Sequence, residues 1–365
     1  MKKSKLSFLF AGIMIGMLAI TGCGGKVPAE QEAETPQTET VAPDTEVEKS
    51  EETGEVDGGL SSVMVTDTGG VNDQSFNQIT WAGLKRATAE LGVDVSYMES
   101  QQESDYDANL ESVLDQEHDL IWGVGYMMED AVFAAAEANP DQKYACVDVA
   151  FPEALENLIG ITFKDHESSY LVGYIAGKMT KTNKIGFVGG MEGTVISRFH
   201  YGYMAGAKAA NPDIEVFEQY AESFGDVAKG KAIANQMYQK GADIVFHAAG
   251  GVGIGVIEAA KESNKYAIGV DMDQSHLAPD NVITSAVKKI DNATVAVLKD
   301  LKEGIFPGGT NETYGLKEGG VGIADTTSNL VPQDILDEVR EVEAKIISGD
   351  IKVPADINEY KELVK

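Results

Sequence analysis

From Ser62 onward the chain alternates short β-branched and aliphatic runs with longer amphipathic segments of helical period. Apolar runs at 63–66, 93–98, 120–124, 143–147 and 158–163 read as strands, with helix-length segments at 75–91, 106–116 and 128–138 between them. The pattern then restarts. Runs at 184–188, 214–219, 244–247, 266–270 and 282–287 predict strands, and segments at 167–179, 195–209, 227–240 and 254–263 predict the helices that link them. Regular βαβ alternation implies parallel sheets covered on both faces, with right-handed crossovers. Two successive sets of strands imply two similar lobes, although no sequence repeat relates them. The remainder, 291–365, is too small for a domain of its own; it predicts a helix at 290–303, short strands at 314–316 and 321–324, and a charged helix at 332–347. The simplest accommodation is a chain that crosses back. One lobe then comprises 60–165 plus about 291–324, the other 166–290 plus about 325–365, with several hinge strands and a cleft between them.

Composition refines this picture. At 365 residues the chain is long enough for two domains, and 43% hydrophobic with 7% aromatic residues fits a globular protein. A formal net charge of -30 excludes nucleic acid as a partner and excludes electrostatic docking on anionic lipid. Membrane attachment therefore needs another device, and the N-terminus offers one. Lys2, Lys3 and Lys5 precede an apolar stretch at 6–20 that is too short to span comfortably, which marks 1–22 as a secretory signal. Ile20-Thr21-Gly22-Cys23 closes it and resembles a bacterial lipobox, with Ile20 in place of the usual leucine. Cys23 is the expected lipidation site; the alternative is an ordinary signal peptide with an incidental cysteine. Residues 23–59, rich in Glu, Thr, Pro and Ala, read as a disordered acidic tether. Cys146 then has no partner and reads as a small buried hydrophobe.

The stretch 66–81, TDTGGVNDQSFNQITW, hands a strand to a helix through Asp67, Gly69 and Gly70, then Asn72, Asp73 and Ser75. Such a turn places backbone N–H groups and small polar side chains at the carboxyl end of a sheet, where open α/β sheets bind ligands. Further features fall at strand ends: Tyr126 after LIWGVG, Phe246 with Gly250 and Gly251 in DIVFHAAGG, Asp271 after YAIGV, and Lys288 after ITSAV. Taken singly, an Asp that ends a strand is more often a turn cap, and a Phe inside a strand is more often core. Their shared placement argues for one cleft. Catalytic motifs are absent: GGVGIG at 250–255 has neither dinucleotide nor phosphate-loop spacing, no G-x-S-x-G occurs, and the histidines have no metal-ligand spacing. No cofactor is expected. Asp271 and Asp273 could hold a cation but lack a third acidic neighbour.

The runs TDTGGVNDQSFNQITWAGL, GVGY at 123–126, GFVGGMEG at 186–193, VFHAAGGVGIGV at 245–256, GVDMDQS at 269–275 and TSAVK at 284–288 together resemble the basic membrane protein family. These lipoproteins are similar to purine nucleoside receptor lipoproteins, the solute-binding subunits of ABC importers. The resemblance implies a type I periplasmic-binding-protein-like fold, α/β and two-lobed, with a ligand cleft between lobes. It also implies a monomeric binding protein, not an enzyme, lipid-anchored outside the cytoplasmic membrane, that delivers adenosine, guanosine or inosine to permease and ATPase subunits. In this reading Phe76 and Phe246 stack on the base and Asn77 reads its edge. Asp67 and Asp271 take ribose hydroxyls, and Lys288 donates to a hydroxyl oxygen while holding the charge of Asp271. Gly251 lets backbone approach the sugar, Tyr126 lines the cleft, and Asp148 is the additional carboxylate facing the base. Carboxylates in an acidic cleft would repel phosphate and so favour nucleosides over nucleotides. The alternatives are another small solute such as a sugar or riboflavin, a nucleoside-processing enzyme, and a surface sensor or adhesin.

Overall fold

The computed structural model describes residues 59–153 and 155–365. The expected signal segment, Cys23 and all but the last residue of the tether lie outside them.

In the first half, β1 (Ser61–Thr66), β2 (Asp94–Met98), β3 (Leu120–Val124), β4 (Tyr144–Val147) and β5 (Leu158–Phe163) alternate with α1 (Phe76–Leu91), α2 (Tyr106–Leu114) and α3 (Glu129–Ala138). The second half repeats the scheme. It runs α4 (Asp165–Met179), β6 (Lys184–Gly189), α5 (Thr194–Ala210), β7 (Glu215–Tyr220), α6 (Val227–Gln239), β8 (Ile244–Ala248), α7 (Val252–Ser263), β9 (Tyr266–Asp271) and β10 (Val282–Lys288). The chain ends with α8 (Ile290–Lys302), β11 (Thr310–Tyr314), β12 (Val321–Ile323), α9 (Gln333–Ser348) and α10 (Ile357–Leu363).

The strands form two six-stranded sheets, ordered β2-β1-β3-β4-β5-β11 and β7-β6-β8-β9-β10-β12. All pairs are parallel except β10 with β12. In each sheet the strand order reverses beside the first strand, between β1 and β3 and between β6 and β8. Such a switch point opens a crevice at the carboxyl ends, because successive crossover helices leave on opposite faces. The inner strands are buried at nearly every position, β3 and β5 along their entire lengths. Indole Nε1 of buried Trp122 is satisfied by donating to Ser62 Oγ at 2.9 Å. Helix stops follow from local chemistry: Gly92, with φ of 71°, closes α1 in the left-handed conformation that a side chain would strain.

The chain passes between sheets after β5, after β10 and after β11. β12 pairs with β10, so 321–324, expected in the first lobe, belongs to the second sheet and the last crossing falls between Tyr314 and Val321. The strand expected at 314–316 lies at Thr310–Tyr314 instead. Its sequence TNETY is polar because it is an edge strand with exposed positions, so it carries no apolar run to find. α4 and α5 pack backbone to backbone; a Cβ on Gly206 would fall 1.9 Å from the Tyr170 carbonyl oxygen. α10, which the pattern does not predict, lays Tyr360 against Tyr201 at 5.8 Å between ring centroids. Among the described residues, no helix is long and apolar enough to cross a membrane.

Candidate functional site

The turn after β1 builds one wall. Asp67 leaves the strand buried, and its Oδ1 accepts from Gly69 N at 2.9 Å and Asn77 Nδ2 at 2.8 Å. Asp73 caps the start of α1: its Oδ1 accepts from the backbone N–H of Ser75 and Gln78 (2.9 and 3.0 Å), and its Oδ2 from that of Asn77 (2.9 Å). A carboxylate here satisfies donors that the first helical turn leaves unpaired. Phe76 and Asn77 follow directly, so the cap aims them both. After β3, Gly125 passes so close to Asp67 that a Cβ would fall 2.9 Å from Asp67 Oδ2, at a φ of 120°. Tyr126 stands next to it.

The opposite wall comes from several segments of the second sheet. Lys288, the last residue of β10, is 1% exposed. Its Nζ donates to both oxygens of Asp148, at 2.9 and 2.7 Å, and lies 2.9 Å from Asp165 Oδ1. The ammonium also sits 5.3 Å from the ring centroids of Phe76, Phe163 and Phe199. Asp148 follows β4 and Asp165 opens α4, so a cation of the second sheet is tied to acids at the end of the first. Arg198 approaches Asp165 at 3.6 Å. Asp271, at φ of 63°, closes β9 and accepts from Ser75 Oγ across the cleft at 2.5 Å. Phe224, in the loop between β7 and α6, meets Tyr126 edge to face at 6.3 Å.

Burial dominates the electrostatics. It raises Asp67, although the Asn77 and Gly69 hydrogen bonds oppose it. Burial pushes Asp73 up to about 7 against its three backbone donors. Asp271 is pushed up to about 6, with Asp148 and Asp165 adding to burial and Lys288 and Ser75 opposing it. Burial also works against the Lys288 charge, but Asp148, Asp165 and Asp271 outweigh it and hold its pKa above the ordinary lysine value.

Asp67, Phe76, Asn77, Tyr126, Asp148, Asp271 and Lys288 line one cavity. Phe246 does not line it. It is wholly buried between Phe187, Phe199 and Tyr203, with centroids 5.7, 6.3 and 5.0 Å away, because its side of β8 faces the core. The aromatics that reach the cavity from the second lobe are Phe199 on α5 and Phe224. Gly251 is the N-cap of α7 and does not line the cavity; the glycine that lines it from this wall is Gly250, at φ of 54°. Lys288 contacts Asp148 and Asp165 directly, and influences Asp271 only through its charge. Asn77 spends its donors on Asp67 and Asp73, which leaves its buried Oδ1 without a partner. Asp165 escapes sequence reasoning because it opens a helix rather than ending a strand. For Phe224 the available signal was a lone aromatic in the polar stretch AESFGD.

Comparison with known proteins agrees with this geometry. The profile of the Bmp family, described as ABC transporter substrate-binding protein PnrA-like, matches residues 60–357. A CD4+ T-cell-stimulating antigen of Listeria monocytogenes is 44% identical over 312 residues, covering 80% of this chain and 87% of that protein. The ABC transporter nucleoside-binding protein BmpA of Lactococcus lactis is 42% identical over 325 residues, covering 83% and 91%. The crystal structure of an ABC transporter solute-binding protein from Aeropyrum pernix superposes with a TM-score of 0.77 at 31% identity, covering 84% of this chain and 96% of that one. The chain belongs to the Bmp family of PnrA-like ABC transporter substrate-binding proteins: it is a two-lobed solute-binding protein and not an enzyme.

Proposed function

We propose that this protein closes its lobes on a purine nucleoside and presents it to ABC permease and ATPase subunits, held at the outer face of the cytoplasmic membrane by lipid on Cys23. The observation that carries the reading is the cavity itself, where aromatic rings from both lobes stand beside buried carboxylates and one buried ammonium. A purine is flat and polarisable, and rings on either side are the chemistry that holds it. Phe224 takes the stacking role opposite Phe76. A ribose offers vicinal hydroxyls that donate to carboxylates and accept from Lys288; charge-assisted bonds of this kind contribute roughly 1.5–3 kcal/mol each.

Asp271, Asp148 and Lys288 are therefore assigned to the sugar. Asp67 and Asn77 share a hydrogen bond and so face the same part of the solute. The free acceptor Asn77 Oδ1 suits an N–H on the base edge, and Asp67 is reassigned with it. The name of the Lactococcus lactis relative supports a nucleoside as cargo. Native mass spectrometry of the full-length protein, extracted in detergent from its membrane, tests both halves. We expect a mature chain that begins at Cys23 and carries acyl lipid, and, after added adenosine, guanosine or inosine, a one-to-one complex that cytidine does not form. A chain that binds none of these nucleosides at micromolar concentration would sink the ligand assignment. An unmodified Cys23 would sink the anchor.

A further inference from the structure

Outside the cavity lining, a set of buried polar groups that the ligand reading leaves unused converges on Gln274, in the loop after β9. Gln274 is fully buried. Its amide can point in one direction only. The backbone N–H of Val270 can only donate, and it lies 3.0 Å from Oε1, which makes that atom the carbonyl oxygen. His247 Nε2 is 2.9 Å from the same oxygen and must therefore carry a proton. Burial keeps His247 neutral, with its pKa pushed down to about 4, so one N–H is available and is spent here. The ring is boxed against α7, where a Cβ on Gly253 would fall 1.9 Å from Cε1. At the other end, Gln274 Nε2 donates to the Gln74 backbone carbonyl, a group that can only accept, at 2.8 Å.

Gln74 belongs to the other lobe, in the turn between β1 and α1, and holds a φ of 55° that a side chain adopts only when its surroundings impose it. The next residue, Ser75, makes the cross-cleft bond to Asp271. His276 Nε2 adds a 3.3 Å contact to Gln74 Oε1 on the exposed rim. Cavity residues Asp73 and Phe76 flank this turn on both sides. A hydrogen bond that holds the Gln74 carbonyl therefore holds both of them in register with the second lobe.

We propose that Gln274, oriented by His247 and the Val270 amide, is a closure latch: it captures the Gln74 carbonyl as the lobes meet and sets how long the bound solute is retained. Gln274 does not line the cavity and acts through position alone. The latch shares lobe closure with the function proposed above but does not depend on what the solute is. Gln274→Glu keeps an oxygen toward Val270 and His247 and places a second oxygen against the Gln74 carbonyl. Because the contact exists only after closure, inosine should leave the variant roughly tenfold faster, as expected for the loss of about one hydrogen bond, while its association rate stays within about twofold of wild type. Stopped-flow fluorescence reads both rates. In small-angle scattering without added solute, the variant should show the larger radius of gyration.

Gln74→Pro tests the same contact from the first lobe, since proline cannot hold a positive φ and must displace the carbonyl. It should also release inosine faster, with Gln274 and its neighbours untouched. Release at the wild-type rate by both variants overturns the latch. So does a variant that slows association as much as it speeds release, which is the mark of a general loss of structure. If wild type itself binds no inosine, the purine assignment fails. The latch is then decided by scattering, and identical profiles for wild type and Gln274→Glu reject it.

Discussion

The two walls of the cavity are made in different ways. The first is nearly one continuous run, Asp67 to Asn77, in which an Asp cap, a helix start and a glycine turn fix each other through backbone hydrogen bonds. Its polar groups are carboxylates and an amide, with no cation among them. The second is assembled from separate segments: the end of β8, the end of β9, the end of β10, a face of α5 and the loop before α6. It contributes Lys288 and the aromatics Phe199 and Phe224. The first wall can be rigid alone, because its bonds are local. The second has to be positioned by its own core, and Lys288 is satisfied only by acids that lie beyond it, at the end of the first sheet and the start of α4. Lys288 thus ties the carboxyl ends of the two sheets together through Asp148 and Asp165.

The comparison breaks most visibly at Lys288. Lys288→Met leaves Asp148 and Asp165 buried without their ammonium, and removing one partner of a buried pair costs about 3–5 kcal/mol. Urea denaturation of the ligand-free protein should show a loss of that order, and adding Asp148→Asn should recover part of it. If Lys288→Met unfolds at the wild-type midpoint, the two lobes are not tied through this lysine. Core and cavity aromatics separate next. Phe246→Ala should cost about 3–5 kcal/mol of stability, as expected for a wholly buried ring, with little change in nucleoside affinity once folded. Phe224→Ala should do the reverse, weakening purine binding by roughly tenfold or more for a lost stacking face while leaving the unfolding midpoint nearly unchanged. A Phe224→Ala protein with wild-type affinity in calorimetry would remove that ring from the base.

These pairs also show why sequence reading reached one wall further than the other. In the first wall most of the cavity-facing groups sit in a single turn, so spacing along the chain equals proximity in space. Strand positions were likewise legible, because parallel strands buried on both faces appear as unbroken apolar runs. That same property hides direction. In β8, Ile244–Ala248, every position is buried, so no polar alternation marks which side Phe246 takes, and a stacking role could be assigned to a residue that faces the core. Phe224 lies in a loop, where neither period nor strand end applies. Asp165 belongs to a helix start whose importance appears only when Lys288 is brought to it. The polar edge strand β11 was displaced for a related reason, since nothing apolar announces it.

Protonation sharpens the comparison most gently. With its pKa raised to about 6, Asp271 holds a proton in the ligand-free cavity over part of the range where a free carboxylate has already lost it. A ribose hydroxyl that donates to this carboxyl favours the ionised form and lowers its pKa in the complex. The free protein then carries more protons than the bound one near pH 6. Linkage requires the association constant to rise with pH through about 6 and to level off once Asp271 is ionised in both states. The slope can reach at most tenfold per pH unit for one proton. His247 and His166, whose pKa values burial pushes down to about 4, make stability fall as pH drops below the ordinary histidine range, but they lie outside the cavity lining and cancel between free and bound protein. Calorimetry of inosine binding at pH 6, repeated in buffers of different ionisation enthalpy, should therefore register net proton release, and Asp271→Asn should reduce it, leaving only what Asp67 and Asp73 of the same cavity contribute. Proton uptake, or release that Asp271→Asn leaves undiminished, would move the sugar contact away from the second wall.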